Sequence, residues 1–169
     1  MAILEVLQYP DDRLRNKAAP VTDFGPETQR IVDDMFETLY ASENTAGYAA
    51  IQMNIPKQIV VIDLSLSKNE PLCLINPVIL EKRGETYIPE GCLSIPELFA
   101  PVKRAEWVHA KAFDRNGKEF EITDGDFLAR CIQHEIDHLN GILFIDYLSP
   151  LKRQRFEKML RKRGIKINL

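Results

Sequence analysis

The sequence predicts an α+β fold: antiparallel strands packed around a buried helix, with one helix before them and another after. Three observations predict it. Apolar residues recur at helical spacing over 26–41, β-rich runs and a hairpin turn fill the middle, and helical patterns return after residue 126. With 169 residues, 45% of them hydrophobic, the chain suits one domain over 1–169 with a basic helix from about 150.

Each element has its own signal. A turn at Pro10-Asp11-Asp12 precedes the first helix, 26–41, whose apolar face is Ile31, Met35 and Leu39 at four-residue steps. Strands are expected over 58–64, 72–80, 85–88, 102–113 and 119–123, with Asp114-Arg115-Asn116-Gly117 as the hairpin turn between the last two. Thr123-Asp124-Gly125-Asp126 then offers capping side chains, and Asn140-Gly141 offers a stop. Between them Phe127, Leu128, Cys131, Ile132, Ile136 and Leu139 make an apolar surface broad enough that this helix is expected to be buried. The last helix starts near Pro150.

That buried helix carries His134-Glu135-Ile136-Asp137-His138. Residues four apart lie on one helical face, so His134 and His138 can aim imidazole nitrogens at a single cation. Glu135 sits roughly 100° around the helix from His134. It stands beside the ion, where a carboxylate can take a proton from water that the cation has made acidic. Polar groups in an apolar segment need partners or a metal to offset their desolvation.

Two ligands do not complete a catalytic site, which usually has three protein ligands and an open position. Cys131 shares the face of His134, but Cys131 and His138 are about 10 Å apart along the helix rise. His109 belongs to an alternating, strand-like run, and Cys73 reads as a small buried hydrophobe. Asp146 and Glu157 lie downstream, where zinc endopeptidases of the His-Glu-x-x-His type find a third ligand. Cys92, in Glu90-Gly91-Cys92-Leu93-Ser94-Ile95-Pro96, lies where a strand-like run meets a turn and can present a thiolate and a neighbouring N–H to a cleft.

Glu90-Gly91-Cys92-Leu93-Ser94 together with His134-Glu135-Ile136-Asp137-His138 resembles the paired signatures of the bacterial peptide deformylases. A third signature of that family, Gly-x-Gly-x-Ala-Ala-x-Gln, is matched upstream by Thr45-Ala46-Gly47-Tyr48-Ala49-Ala50-Ile51-Gln52. Order, spacing and length fit over essentially the whole chain. Departures are Thr45 for the first glycine, Tyr48 for a smaller aliphatic residue, Arg130 for an apolar one, and no arginine within Glu97-Leu98-Phe99-Ala100.

The resemblance implies a metal-dependent hydrolase that removes the formyl group from the N-terminal formyl-methionine of new polypeptides and releases formate. It implies Cys92, His134 and His138 as ligands and Glu135 as base and then acid. The Gln52 side chain and the Leu93 backbone N–H would be donors to the developing oxyanion. Gly47 and Gly91 would let backbone run close to the substrate, and Ile88, Phe127 and Cys131 would line the methionine pocket. Read without the resemblance, Gln52 could be a solvated turn residue and the apolar set plain core. The donor set suits zinc, iron(II), cobalt or nickel, and the resemblance points to iron(II), hence to oxygen sensitivity. The rival functions are a zinc endopeptidase and a catalytically weak or dead relative that binds formyl-peptides or the ribosome.

Three widely spaced cysteines do not form a disulfide framework, no apolar run approaches the ~20 residues of a membrane span, and Met1-Ala2-Ile3-Leu4-Glu5 does not begin a signal peptide. A monomer in the reducing cytoplasm is expected. Charge is uneven: eight of the 22 basic residues, but only Glu157 of the 25 acidic ones, lie from Lys152 onward. That tail reads as a solvated helix face or as an attachment to ribosomal RNA, the second made plausible by the resemblance.

Overall fold

The computed structural model describes residues 2–167. Helix α1, Pro26–Ala41, forms as expected, with Pro26 at its first turn. Its buried stripe runs through Val32, Met35 and Leu39, while Ile31 is only half-buried. Seven strands follow, β1 (Gly47–Ala49), β2 (Ile59–Ile62), β3 (Leu72–Arg83), β4 (Thr86–Cys92), β5 (Ile95–Arg104), β6 (Trp107–Phe113) and β7 (Glu119–Asp124), and then α2 (Phe127–Leu139) and α3 (Pro150–Lys162). The strands make one five-stranded antiparallel sheet, ordered β1-β2-β3-β6-β7, and one two-stranded sheet of β4 and β5.

Strand β2 shows how the layers are joined. All four of its residues are buried, because successive side chains point to opposite faces. Val60 and Ile62 join Leu74, Val108, Ala110, Ile132 and Leu139 under α2, whereas Ile59 and Val61 join Val32, Met35 and Leu39 under α1. A third cluster lies around Ile95, Val102, Leu143, Phe144, Phe156 and Leu160, and docks α3 against β5.

The expected strand 102–113 is two strands in different sheets. The alternation lapses there, with two polar residues at Lys103-Arg104 and two apolar ones at Trp107-Val108, and that lapse is the one sign of the break in the sequence. The break is made by Gln133 of α2, whose amide accepts from Ala105 N (3.0 Å) and donates to Ala105 O (3.0 Å). The helix takes over the hydrogen bonds a ladder would have made, and the chain crosses from one sheet to the other. Strand β5 starts at Ile95, within a stretch read as a turn. Its Pro96 and Pro101 look like punctuation, but a sheet of two strands has free edges that tolerate proline.

Helix α2 starts and stops as its sequence suggests, with one exchange of roles. Asp126, the residue at the N-terminal boundary, makes no side-chain cap, whereas Asp124 Oδ2 accepts from Asp126 N (2.8 Å) and Ala129 N (3.0 Å). At the other end Gly141 has a φ of +74°, and a Cβ there would meet Arg15 O at 2.4 Å. The sharp stop sends the chain into the short 3-10 turn Phe144–Tyr147 behind the helix.

Candidate active site

Cys92 is the last residue of β4, at a hairpin whose turn is Leu93-Ser94. His134 and His138 face it from α2, their ring centroids 4.9 Å apart and edge-on, as one helical turn dictates. The Cys92 sulfur and one ring nitrogen from each histidine lie within 4.8 Å of one another, and Cys92 Sγ is 3.4 Å from His138 Nε2. Of the described residues, only these three cysteine, histidine and acidic side chains converge in this way. Asp146 is instead bound by Arg15 (2.6 Å), and Glu157 takes a hydrogen bond from Tyr9. The endopeptidase ligand set is not assembled.

Burial and charge tune the three groups. His138 is 1% exposed, and burial together with the neighbouring His134 holds its pKa well below the ordinary imidazole value. A neutral ring keeps a lone pair free. Burial works against charge on His134 as well, but hydrogen bonds to the Cys92 sulfur and the Glu90 carboxylate raise its pKa well above normal. A proton held on His134 is the kind a divalent cation displaces on binding. Around this cluster, Glu135 Oε2 and His138 Nδ1 are buried without a hydrogen-bond partner. A soft sulfur, two imidazoles and an unpartnered carboxylate oxygen fit a cation of the zinc and iron(II) class.

Glu135 lies beside the cluster, its Oε1 3.8 Å from His134 Nε2. Burial pushes its carboxyl up to about 7, the positive field of His134 only partly opposing this. Gln52 sits in the 3-10 turn Ala50–Met53. It is no solvated turn residue, being 1% exposed. Its Oε1 accepts from Ala49 N (2.9 Å), which turns Nε2 toward Ser94 Oγ (3.1 Å) and Cys92 Sγ (3.5 Å).

A cavity of about 490 Å³ opens over the cluster. Gly47, Ile88, Gly91, Leu93, Phe127 and Cys131 all line it, together with Gln52, Cys92, His134 and Glu135. His138 lies beneath, enclosed by protein. Gly47 meets its need for space at β2: a Cβ would come within 2.9 Å of Val61 O. At Gly91 a Cβ would meet the Phe99 ring at 2.5 Å. Burial pushes the Cys131 thiol up to about 12, with the Glu135 carboxylate adding to it, so this sulfur serves as an apolar wall. Of the departures from the motif, Thr45 and Arg130 line the cavity. Tyr48 points into the core, its hydroxyl 2.9 Å from Ser42 Oγ.

Sequence reasoning passed over the charges that hold this site. Glu90, two residues before Cys92, accepts from His134 Nδ1 (2.9 Å) and takes a two-pronged pair from Arg104 (2.8 and 3.0 Å). Burial would raise the pKa of Glu90, but those N–H donors win and hold it at about 2. The motif position of Glu90 was a signal that could have found it. Arg104 had none, since nothing in a strand fourteen residues on marks it as a partner.

The profile of the polypeptide deformylase family matches residues 3–154. The chain belongs to the polypeptide deformylase family. Among solved structures, a peptide deformylase from Legionella pneumophila is 45% identical, with a TM-score of 0.89 over 98% of this chain and 100% of that one. One from Ehrlichia chaffeensis in complex with actinonin is 36% identical (TM-score 0.89, 98% and 100% covered), and one from Synechococcus elongatus in complex with actinonin is 39% identical (TM-score 0.86, 97% and 87%). This deformylase is an enzyme that removes the formyl group from the N-terminal formyl-methionine of nascent proteins. Its fold is the α+β arrangement of those structures.

Proposed function

We propose that Cys92, His134 and His138 hold the catalytic cation and that Glu135, Gln52 and Leu93 carry out the hydrolysis around it. What supports this reading most is the convergence of one sulfur and two imidazoles within 4.8 Å, with Glu135 Oε1 3.8 Å from His134 Nε2 and Gln52 Nε2 3.5 Å from the sulfur. The cation, when bound, supplies an acidified water and polarises the formyl carbonyl. Glu135 accepts the proton of that water and later delivers it to the departing amine nitrogen. A carboxyl pushed up to about 7 is matched to doing both near neutrality. Gln52 Nε2 and the Leu93 backbone N–H face the oxygen on which negative charge develops. Gly47 and Gly91 admit the peptide backbone as an added strand, and Ile88, Phe127 and Cys131 receive the methionine side chain.

The residue set 1–169 acts as one catalytic domain, a monomer in the cytoplasm, and iron(II) is its working ion. No helix of the described residues is long and apolar enough to cross a membrane. Activity of the iron form should fade in air and persist with nickel or cobalt; fresh iron enzyme indifferent to oxygen would contradict iron(II). Formate release from formyl-Met-Ala-Ser by the nickel-loaded protein tests the function directly. Formate with no internal cleavage is the expected result, and bound metal without formate would overturn the reading.

A further inference from the structure

Four charged and polar side chains form a continuous line running away from His134 to the far side of α2. Arg104 is central to it, with its side chain only 4% exposed. Its Nε and Nη2 donate to Glu90, and its Nη1 donates to Asp137 Oδ2 (2.5 Å). The same Asp137 oxygen accepts from the Tyr147 hydroxyl (2.7 Å), and the Arg104 guanidinium lies 5.0 Å over the Tyr147 ring. Both Asp137 and Tyr147 line a second cavity of about 490 Å³, between the β3–β4 turn and the back of α2.

The line joins parts of the molecule that must stay in register. Glu90 belongs to β4, the strand that ends in Cys92. Asp137 is three residues after His134 and one before His138 on α2. A guanidinium is a rigid planar fork, so fixing one arm fixes the others. Held by Asp137 on Nη1, Arg104 presents Nε and Nη2 to Glu90 in one plane. Glu90 Oε1 is then left aimed at His134 Nδ1, which fixes the ring's orientation and directs Nε2 at the ion position. Outer partners of ligating histidines commonly change metal affinity about 10–100-fold when removed.

We propose that Tyr147 and Asp137 are positioning residues for the metal centre, acting on His134 through Arg104 and Glu90. The proposal rests on the metal-centre reading above. Tyr147→Phe is the sharp probe, because it keeps the ring under Arg104 and deletes only the hydroxyl that donates to Asp137. The measurement is the rate at which a chelator strips cobalt(II) from wild type, Tyr147→Phe, Asp137→Asn and the double variant. The visible spectrum of each cobalt form and the melting temperature of each metal-free protein are recorded alongside.

Tyr147→Phe should release metal about 3–10-fold faster and Asp137→Asn about 10–100-fold faster. Cobalt bands should shift in both, while metal-free Tyr147→Phe melts as wild type does. The double variant should be no worse than Asp137→Asn, since the hydroxyl acts only through that carboxylate. Release from Tyr147→Phe at the wild-type rate with an unchanged spectrum would overturn the proposal, as would effects that multiply in the double variant. A wild-type protein that binds no cobalt would overturn the metal-centre reading, and this one with it.

Discussion

Burial leaves Glu135 with one oxygen, Oε2, that no protein donor reaches, on the residue next to His134 and within one turn of His138. An isolated carboxylate in such a place costs several kcal/mol unless protonated or matched by a cation. Its raised pKa follows from that cost. The same oxygen is the one free to exchange a proton with water. Glu135→Gln keeps the shape and removes the basicity, so kcat should fall by about 10²–10⁴ while bound metal stays at wild-type stoichiometry. Less than a tenfold fall in formate release would remove Glu135 from its role. At this scale much of the site was legible: His134, Glu135 and His138 from their helical spacing, Cys92 as a candidate third ligand from its place at a turn, and Gln52 only through the resemblance of its motif to the family. Arg104 and Tyr147 were not, because their roles depend on partners brought together by the tertiary fold.

Helix α1 and helix α2 were legible to within a residue or two, since a 3.6-residue apolar period sustained for three or four turns has no strand alternative. The two-stranded sheet was not. Its residues carry three prolines and a glycine, and its crossing into β6 is set by a side chain, Gln133, that arrives from another element. A second polar junction ties α1 to the loop after β2. Asp63 accepts from the hydroxyls of Ser65 (2.6 Å) and Tyr40 (2.8 Å) and from the backbone N–H groups of Ser65 and Glu70. Burial would raise its pKa, yet these donors together hold it below the usual carboxylate range. A lowered folded-state pKa stabilises the fold at pH values above the unfolded value of about 3.9. That contribution is lost as pH falls through the folded value. Asp63→Asn should therefore cost about 1–3 kcal/mol at neutral pH, with the gap to wild type narrowing below about pH 4 in urea unfolding. A gap that stays constant from pH 7 to pH 3 would contradict this.

Across the whole molecule, charge is segregated. Before Lys152 the chain carries fourteen basic residues against twenty-four acidic ones, while α3 carries Lys152, Arg153, Arg155, Lys158, Arg161 and Lys162 on a helix that buries only Phe156 and Leu160. We propose that this basic face attaches the enzyme to ribosomal RNA, near the substrate it must meet. Reversing Lys152, Arg155 and Lys158 should weaken co-sedimentation with ribosomes in low salt and leave turnover of a short formyl-peptide unchanged. Unchanged co-sedimentation would reduce the helix to a solubilising face. The α+β class itself was legible because helices and strands occupy separate stretches of the chain. How the two sheets share α2 was not, since that is decided by burial on both faces of β2 and by the Gln133 crossing.

The account depends on sulfur from the β4–β5 hairpin sharing one ion with two rings of α2. Near-ultraviolet absorption of the cobalt(II) protein reads this directly, through the intense charge transfer of a thiolate ligand. One cobalt per chain should give that band, the band should vanish in Cys92→Ser, and it should persist in Cys73→Ser and Cys131→Ser. A band that survives in Cys92→Ser would contradict the account.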